Sequence, residues 1–447
     1  MRKFLIFFST AIFLNANSLT IYNNNLGYIK EDKNISIKKG LQTLKYTNLP
    51  KTIIIDSIAP EINSKSVKLY SLQFNESMGF RRAILEQNLN KEVSFFTKDK
   101  KLLSGILKRS DPIVVEANSK YYIVDSISQM IFNNYPNKDN INSYLELKLS
   151  SKENIDSKIR LNYLIKGISW STNYILTLKK DKLNLKAWAT IINNSDKEFK
   201  EYNLNLISGN LNKVSNYSRR IYRKSRSMAL EAVEPAVAKI PEVGEAKAIE
   251  GYYLYNVPFK VTISKNQTKQ ISLIEANNIK YKIYGVAKNS AFYYYDLRKF
   301  KFSQIVEFKN SKENSLGKPL PAGVVRAYKD GYYLGENIIS NIPKDEKVKI
   351  AIGELFDIVG KSKVIKFVNK SKYKYIKKEY IVKNRGKRAY EVRIKEEVPR
   401  YGDSIKFNTT CKDECKVKEK SAFYKEYTIN LKPDSEYKFY TEYEIVK

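Results

Sequence analysis

Leu183-Asn184-Leu185-Lys186-Ala187-Trp188-Ala189-Thr190-Ile191 places an apolar residue at every second position, with polar residues between them except at Trp188. A strand turns successive side chains to opposite faces, so a period of two puts Leu183, Leu185, Ala187, Ala189 and Ile191 on one buried face. Trp188 falls on the other face with Asn184, Lys186 and Thr190. From Tyr144 onward similar patterns recur, which predicts long antiparallel strands. A strand ending in asparagine appears at Ile191-Ile192-Asn193-Asn194-Ser195, Glu307-Phe308-Lys309-Asn310-Ser311 and Ile381-Val382-Lys383-Asn384-Arg385-Gly386. Asparagine tolerates left-handed geometry, so each phrase reads as a hairpin or sandwich-edge turn. Its wide recurrence predicts successive immunoglobulin-like sandwiches.

Composition agrees with a mostly β, multidomain chain. The 447 residues include 34 Tyr and 20 Phe but only 17 Gly and 12 Pro. Aromatic and β-branched residues favour strands, and so little Gly and Pro argues against extensive disorder. Residues 19–75 read as an N-terminal β region. Residues 76–135 form a distinct unit in which Phe80, Ala83, Ile84 and Gln87 share the face of a short helix over 79–89. Five β-patterned runs follow at 92–97, 101–109, 112–117, 120–124 and 128–132, an order that resembles a small Sm-like or SH3-like barrel. Residues 136–300 read as a sandwich module interrupted at 212–250, and residues 301–447 as a C-terminal immunoglobulin-like region. Asp330-Gly331 between two β-patterned runs is a hairpin signal.

Arg2 and Lys3, the apolar run 4–14 and the small residues Ala16 and Ser18 read together as a secretory leader over residues 1–18. That run is far shorter than the roughly 20 residues a membrane-spanning helix requires. A periplasmic or secreted product follows. Cys411 and Cys415, the only cysteines, can then close a disulfide across a turn, with two free thiols as the alternative. Two thiolates alone fall short of a zinc site.

The chain contains no histidine. This excludes Ser-His-Asp and Cys-His catalysis and histidine-bound zinc. No phosphate-cradling or dinucleotide glycine motif occurs, and no cofactor is implied. Ser36-x-x-Lys39 and Ser371-x-x-Lys374 match a Ser/Lys acyltransferase motif that a lysine-rich chain produces by chance. Glu354 with Asp357, or Glu396 with Glu397, are candidate acid pairs for a histidine-free hydrolase acting on envelope glycan.

The net charge of +33 attracts anionic partners. A biased vocabulary, with lysines spread along solvated strand faces, accounts for it equally. The densest basic group is Arg219, Arg220, Arg223, Lys224 and Arg226, followed by an Ala/Glu/Val/Pro-rich stretch, and it reads as a mobile docking arm or as a tolerated insertion. An exported chain meets anionic envelope polymer, membrane surface or envelope protein rather than nucleic acid. The leading expectation is therefore a non-enzymatic binding or scaffolding role at the cell envelope.

The stretch 320–328, Leu-Pro-Ala-Gly-Val-Val-Arg-Ala-Tyr, followed by Leu334-Gly335-Glu336, Ile342-Pro343 and Ile352-Gly353-Glu354-Leu355-Phe356-Asp357-Ile358, resembles the mucoidy-inhibitor-like family. Residues 163–174 around Trp170 and residues 250–273 fit the same module. These are exported bacterial proteins with a C-terminal module of unknown function. The resemblance singles out Trp170, Pro321, Gly323, Arg326, Gly335, Gly353, Phe356 and Asp357. It implies fold and export and brings no catalytic residues. Longer relatives insert a coiled coil near the N-terminus, which this chain lacks.

Overall fold

The computed structural model describes residues 17–135, 142–209, 246–249, 251–291, 297–398, 404–421 and 423–446. Most of the expected leader, and the interruption at 212–250 except its last strand, lie outside the described residues. The chain divides into two compact units. Residues 1–170, 191–242 and 254–269 make the first, and residues 171–190, 243–253 and 270–447 the second.

The chain begins with β1 (Ser18–Tyr22), β2 (Leu26–Ile37), β3 (Gly40–Leu49), β4 (Ile53–Ile62) and β5 (Val67–Asn75). The helix α1 (Phe80–Gln87) precedes the short strands β6 (Glu92–Phe96), β7 (Leu102–Ser110), β8 (Ile113–Ala117), β9 (Lys120–Ile123) and β10 (Met130–Phe132). Next come β11 (Ser143–Ser151), β12 (Ile155–Ile165), β13 (Ile168–Leu178), β14 (Lys182–Asn193), β15 (Phe199–Ser208), β16 (Ala246–Ile249), β17 (Tyr252–Ile263) and β18 (Gln267–Ser290). In the first unit β17, β15, β1, β2, β12 and β4 lie side by side in that order, and β3, β11 and β5 form a smaller sheet.

The helix and five strands expected over 76–135 are present, with a core of Leu85, Val93, Phe95, Leu107 and Val115. Two details differ. The strands form an open sheet ordered β10-β6-β7-β8-β9, not a closed barrel. Its two edge strands are only three and four residues long and are separated by a 3-10 turn at Ile127–Gln129, so the ladder ends before it can close. The helix buries Ala83, Ile84 and Leu85, while Phe80 stays half exposed against the ring of Tyr135. Of the helix's eight residues only Ala83, Ile84 and Leu85 are buried, so its first residue overhangs the core.

The second unit adds β19 (Leu297–Lys309), β20 (Gly323–Lys329), β21 (Tyr332–Ile339), β22 (Lys347–Lys370) and β23 (Tyr373–Asn384). It ends with β24 (Tyr390–Glu397), β25 (Ser404–Thr409), β26 (Cys415–Ser421), β27 (Tyr424–Leu431) and β28 (Ser435–Val446). One long sheet runs β21-β20-β13-β14-β18-β19-β22-β23-β28-β25. A second layer, β24, β27 and β26, shares a core with it built from Phe302, Leu355, Tyr380, Ile394, Tyr427 and Phe439. The long strand β18 pairs with β19 and, in parallel, with β24, and so joins the two layers. Asp330 and Gly331, both at positive φ, make the expected two-residue hairpin between β20 and β21. In β14 every residue read as inward is buried, and Trp188 is half-buried on the other face.

The recurring asparagine phrase has one structural meaning throughout. Three sets of four strands follow the same pairing rule, first with fourth and second with third: β14/β15/β17/β18, β19/β20/β21/β22 and β23/β24/β27/β28. The asparagine at the end of each first strand is fully buried or nearly so. Its amide nitrogen donates to two carbonyls, one in its own turn and one in the turn joining the third and fourth strands. For Asn193 these are Lys197 and Ser264 at 2.9 and 3.0 Å; for Asn310, Lys318 and Pro343 at 2.7 and 2.8 Å; for Asn384, Arg388 and Lys432 at 2.7 and 2.8 Å. The amide oxygen accepts from the backbone of Ser195, Gly317 or Gly386. None of the three asparagines is left-handed, contrary to the expectation. The positive φ lies two residues past the second carbonyl, at Asn266, Asp345 and Asp434.

Asn384→Ala should therefore orphan two buried carbonyls and one N–H. The expected loss is about 3 kcal/mol, read as a lower urea midpoint, with the exposed Asn369→Ala near wild type.

Candidate functional site

Carboxylates are the sequence's leading candidates for chemistry. In the first unit Glu31 of β2 is buried among Tyr46, Tyr163, Tyr202 and Lys197. Tyr46 and Tyr163 donate their hydroxyls to Oε2 at 3.2 and 2.9 Å. Tyr202 and the Lys197 ammonium donate to Oε1, the latter at 2.8 Å. Burial pushes the Glu31 carboxyl up, but Lys197 and the hydroxyl donors outweigh it and hold it below the usual range. A cleft of about 620 Å³ opens beside this group. The other acids lining it are also engaged: Asp32 takes both bonds of the Arg160 fork, Asp196 accepts from the Lys51 backbone, and Glu198 accepts from Ser264.

The second unit holds a parallel arrangement. Glu396 of β24 is fully buried and accepts hydroxyls from Tyr380, Tyr427 and Tyr443, the last two at 2.8 and 2.6 Å. Burial, then the charge of Glu396, pushes all three phenols far up. Lys378, nearly buried, donates to the Ser290 carbonyl at 2.6 Å, and burial lowers its pKa. Glu397 is exposed on the opposite face of β24, so Glu396 and Glu397 cannot flank one substrate. Glu354 is exposed in an ion pair with Lys301 at 2.8 Å, and Asp357 is exposed beside Gly386. Ser36 of the first Ser/Lys motif gives its proton to Asp156, and Ser371 of the second sits in an exposed turn.

Of the residues the resemblance singled out, Trp170 lies on β13 in the first unit, and those from Pro321 to Asp357 lie on or beside β20, β21 and β22 in the second. Trp170 is buried, donates its indole N–H to the Ile207 carbonyl and packs edge-on against Tyr255. The Pro321 carbonyl accepts the Tyr174 hydroxyl at 2.6 Å. Gly323 and Gly335 let backbones touch: a Cβ would strike the carbonyl of Thr172 or of Ile352, and Gly335 also has φ 143°. Arg326 pairs with Glu336 at 3.0 Å. Gly353 faces the Leu334 carbonyl. Phe356 is 95% exposed, on a bulge where Glu354 to Val359 spans only Ser303 to Lys301 on β19. Its neighbours Leu355 and Ile358 remain in the core.

A basic group that the sequence reading treated as scattered is brought together by the β22–β23 hairpin. No Asp or Glu occurs between Asp357 and Glu379, a stretch that carries Lys361, Lys363, Lys366, Lys370, Lys372, Lys374, Lys377 and Lys378. Strand pairing sets Lys366 opposite Lys377, Asn369 opposite Lys374 and Lys370 opposite Tyr373. Across the sheet β28 supplies acids that have lysine partners: Glu442 takes Lys377 at 2.7 Å and Glu444 takes Lys406 at 4.0 Å, while Glu379 of β23 takes Lys438 of β28. Lys361, Lys363, Lys366, Lys370 and Lys372 form no ion pair among the described residues. Lys366 lies over the Tyr375 ring at 5.6 Å. The signal available in the sequence was the long absence of acids, not the density of lysine.

Cys411 and Cys415 are at disulfide distance beside the same core. Arg219, Arg220, Arg223, Lys224 and Arg226 lie outside the described residues. Among the described residues no helix is long and apolar enough to cross a membrane. Residues 159–446, well over half of the chain, match the family described as a domain of unknown function, DUF4139. No curated protein matches the chain.

The Glu31 cluster makes a pH prediction. A carboxyl held low in the fold stabilises it above the unfolded pKa and loses that contribution as pH falls through the folded value. Glu31→Gln should cost about 3 kcal/mol at neutral pH by leaving the Lys197 ammonium without its counter-charge, and the gap to wild type should narrow as pH falls below the unfolded carboxyl value of about 4.3 in urea titrations.

Proposed function

We propose that this chain, which belongs to the DUF4139 family, is a non-catalytic cell-envelope protein that docks on anionic surfaces through the β22–β23 hairpin. The finer kinship, to mucoidy-inhibitor-like proteins, is part of the same proposal and rests on the motifs around Pro321, Gly335 and Phe356. So is export to the periplasm or beyond, which rests on the leader-like residues 1–18 and accords with a cysteine pair at disulfide distance.

One observation carries the binding reading: Lys361, Lys363, Lys366, Lys370 and Lys372, which form no ion pair among the described residues, lie on β22 and the turn after it, in a stretch from 358 to 378 that holds no acid. Their fields add over a short distance and fall off within a Debye length of about 10 Å at 0.1 M salt. Such a patch raises encounter rates with polyanions and gives an affinity that declines with ionic strength. Carboxylate hydrolysis has less support, since the acids of the Glu31 cleft and Glu396 are engaged by structural donors.

The test compares wild type with Lys366→Glu/Lys370→Glu/Lys372→Glu on a polyuronate and on phosphatidylglycerol vesicles. Wild type should bind, lose affinity steeply between about 0.05 and 0.5 M NaCl, and exceed the variant by about tenfold or more. Binding indifferent to salt and to the three substitutions would overturn the reading.

A further inference from the structure

The end of the β22–β23 hairpin carries more than charge. Between Val364 and Lys366 the register slips, which leaves Ile365 as an extra residue on β22 with 47% of its surface exposed. Phe367 is 37% exposed. Ile365, Lys366, Phe367, Asn369 and Lys370 are all open to solvent, so both faces of β22 leave the core here. Tyr373 opposes Val446 of β28, itself 39% exposed, and extends the apolar surface onto the neighbouring strand.

We infer that this hairpin end inserts its apolar side chains into the headgroup–acyl boundary of an anionic lipid bilayer, with its lysines on the phosphates. The inference rests on the anionic-surface reading above and names its partner. A polyanion in water satisfies the lysines and leaves Ile365 and Phe367 hydrated. Apolar surface gains free energy only by leaving water, in proportion to its area. A bilayer offers both environments at adjacent depths: anionic headgroups for Lys363, Lys366, Lys370 and Lys372, and the acyl boundary a few ångströms beneath for Ile365 and Phe367. Tyr373 and Tyr375 have the amphipathic character that suits the layer between. The ladder of β22 with β23 continues to Lys370 and Tyr373, so the inserted backbone keeps its hydrogen bonds along that side.

The experiment separates the two ideas. Full-length wild type, Ile365→Ser/Phe367→Ser and the triple lysine variant are each titrated with phosphatidylglycerol vesicles and with polyuronate. The serine variant should lose about tenfold on vesicles and nothing on polyuronate, whereas the lysine variant should lose on both. Emission from Phe367→Trp should shift to the blue on vesicles and stay unchanged on polyuronate. Equal vesicle affinity of wild type and the serine variant, with no blue shift, overturns insertion and leaves polymer binding standing. Indifference to the lysine substitutions overturns both. Ile365→Ser alone, at an exposed bulge, provides the same comparison if the double variant fails to fold.

Discussion

A primary amide has two N–H donors and an acceptor, and at Asn193, Asn310 and Asn384 all three are used inside the protein. Two turns far apart in sequence, the first and the last of a four-strand set, are thereby held together by one side chain. The turns have little apolar area of their own, so without the amide their carbonyls would be buried unpaired or would open to water. Glutamine is a methylene too long and aspartate lacks the donors. The same geometry in three sets ties strand order to one residue type and accounts for how a chain with few glycines and prolines turns so often.

Both units also bury a glutamate behind tyrosine hydroxyls. The cost of removing a carboxylate from water is large, and the donors here offset it in different ways. Glu31 has an ammonium and three phenols; Glu396 has three phenols, with Lys378 beside them bonded elsewhere. Because every phenol comes from a different strand, each glutamate specifies how its strands assemble as much as how firmly. The abundance of tyrosine has a physical use: a ring fills core volume while its hydroxyl reaches a buried acid.

Much of this was open to reading from local pattern. The alternation of residues 183–191, the helix and short strands of 76–135 and the Asp330-Gly331 turn depend on neighbours within a few residues, and all stand where the pattern put them. The asparagine phrase was recognised as a recurrence but assigned the wrong cause, because its partners Ser264, Pro343 and Lys432 lie far along the chain. Barrel closure over 92–132 failed for a related reason: whether edge strands meet depends on their final length and on the turn between them. The basic hairpin has no such local trace because lysine is frequent everywhere, and only pairing of β22 with β23 brings its two runs together.

From composition and periodicity alone came the β class, the positive charge, the absence of histidine chemistry and the positions of most strands, since these are properties of single residues and their near neighbours. Tertiary structure alone decided which lysines stand without an acid, which carboxylates are sealed by tyrosine and which apolar side chains remain outside. Those outcomes depend on who faces whom across a sheet, and strand pairing brings together residues whose separation in sequence carries no local trace.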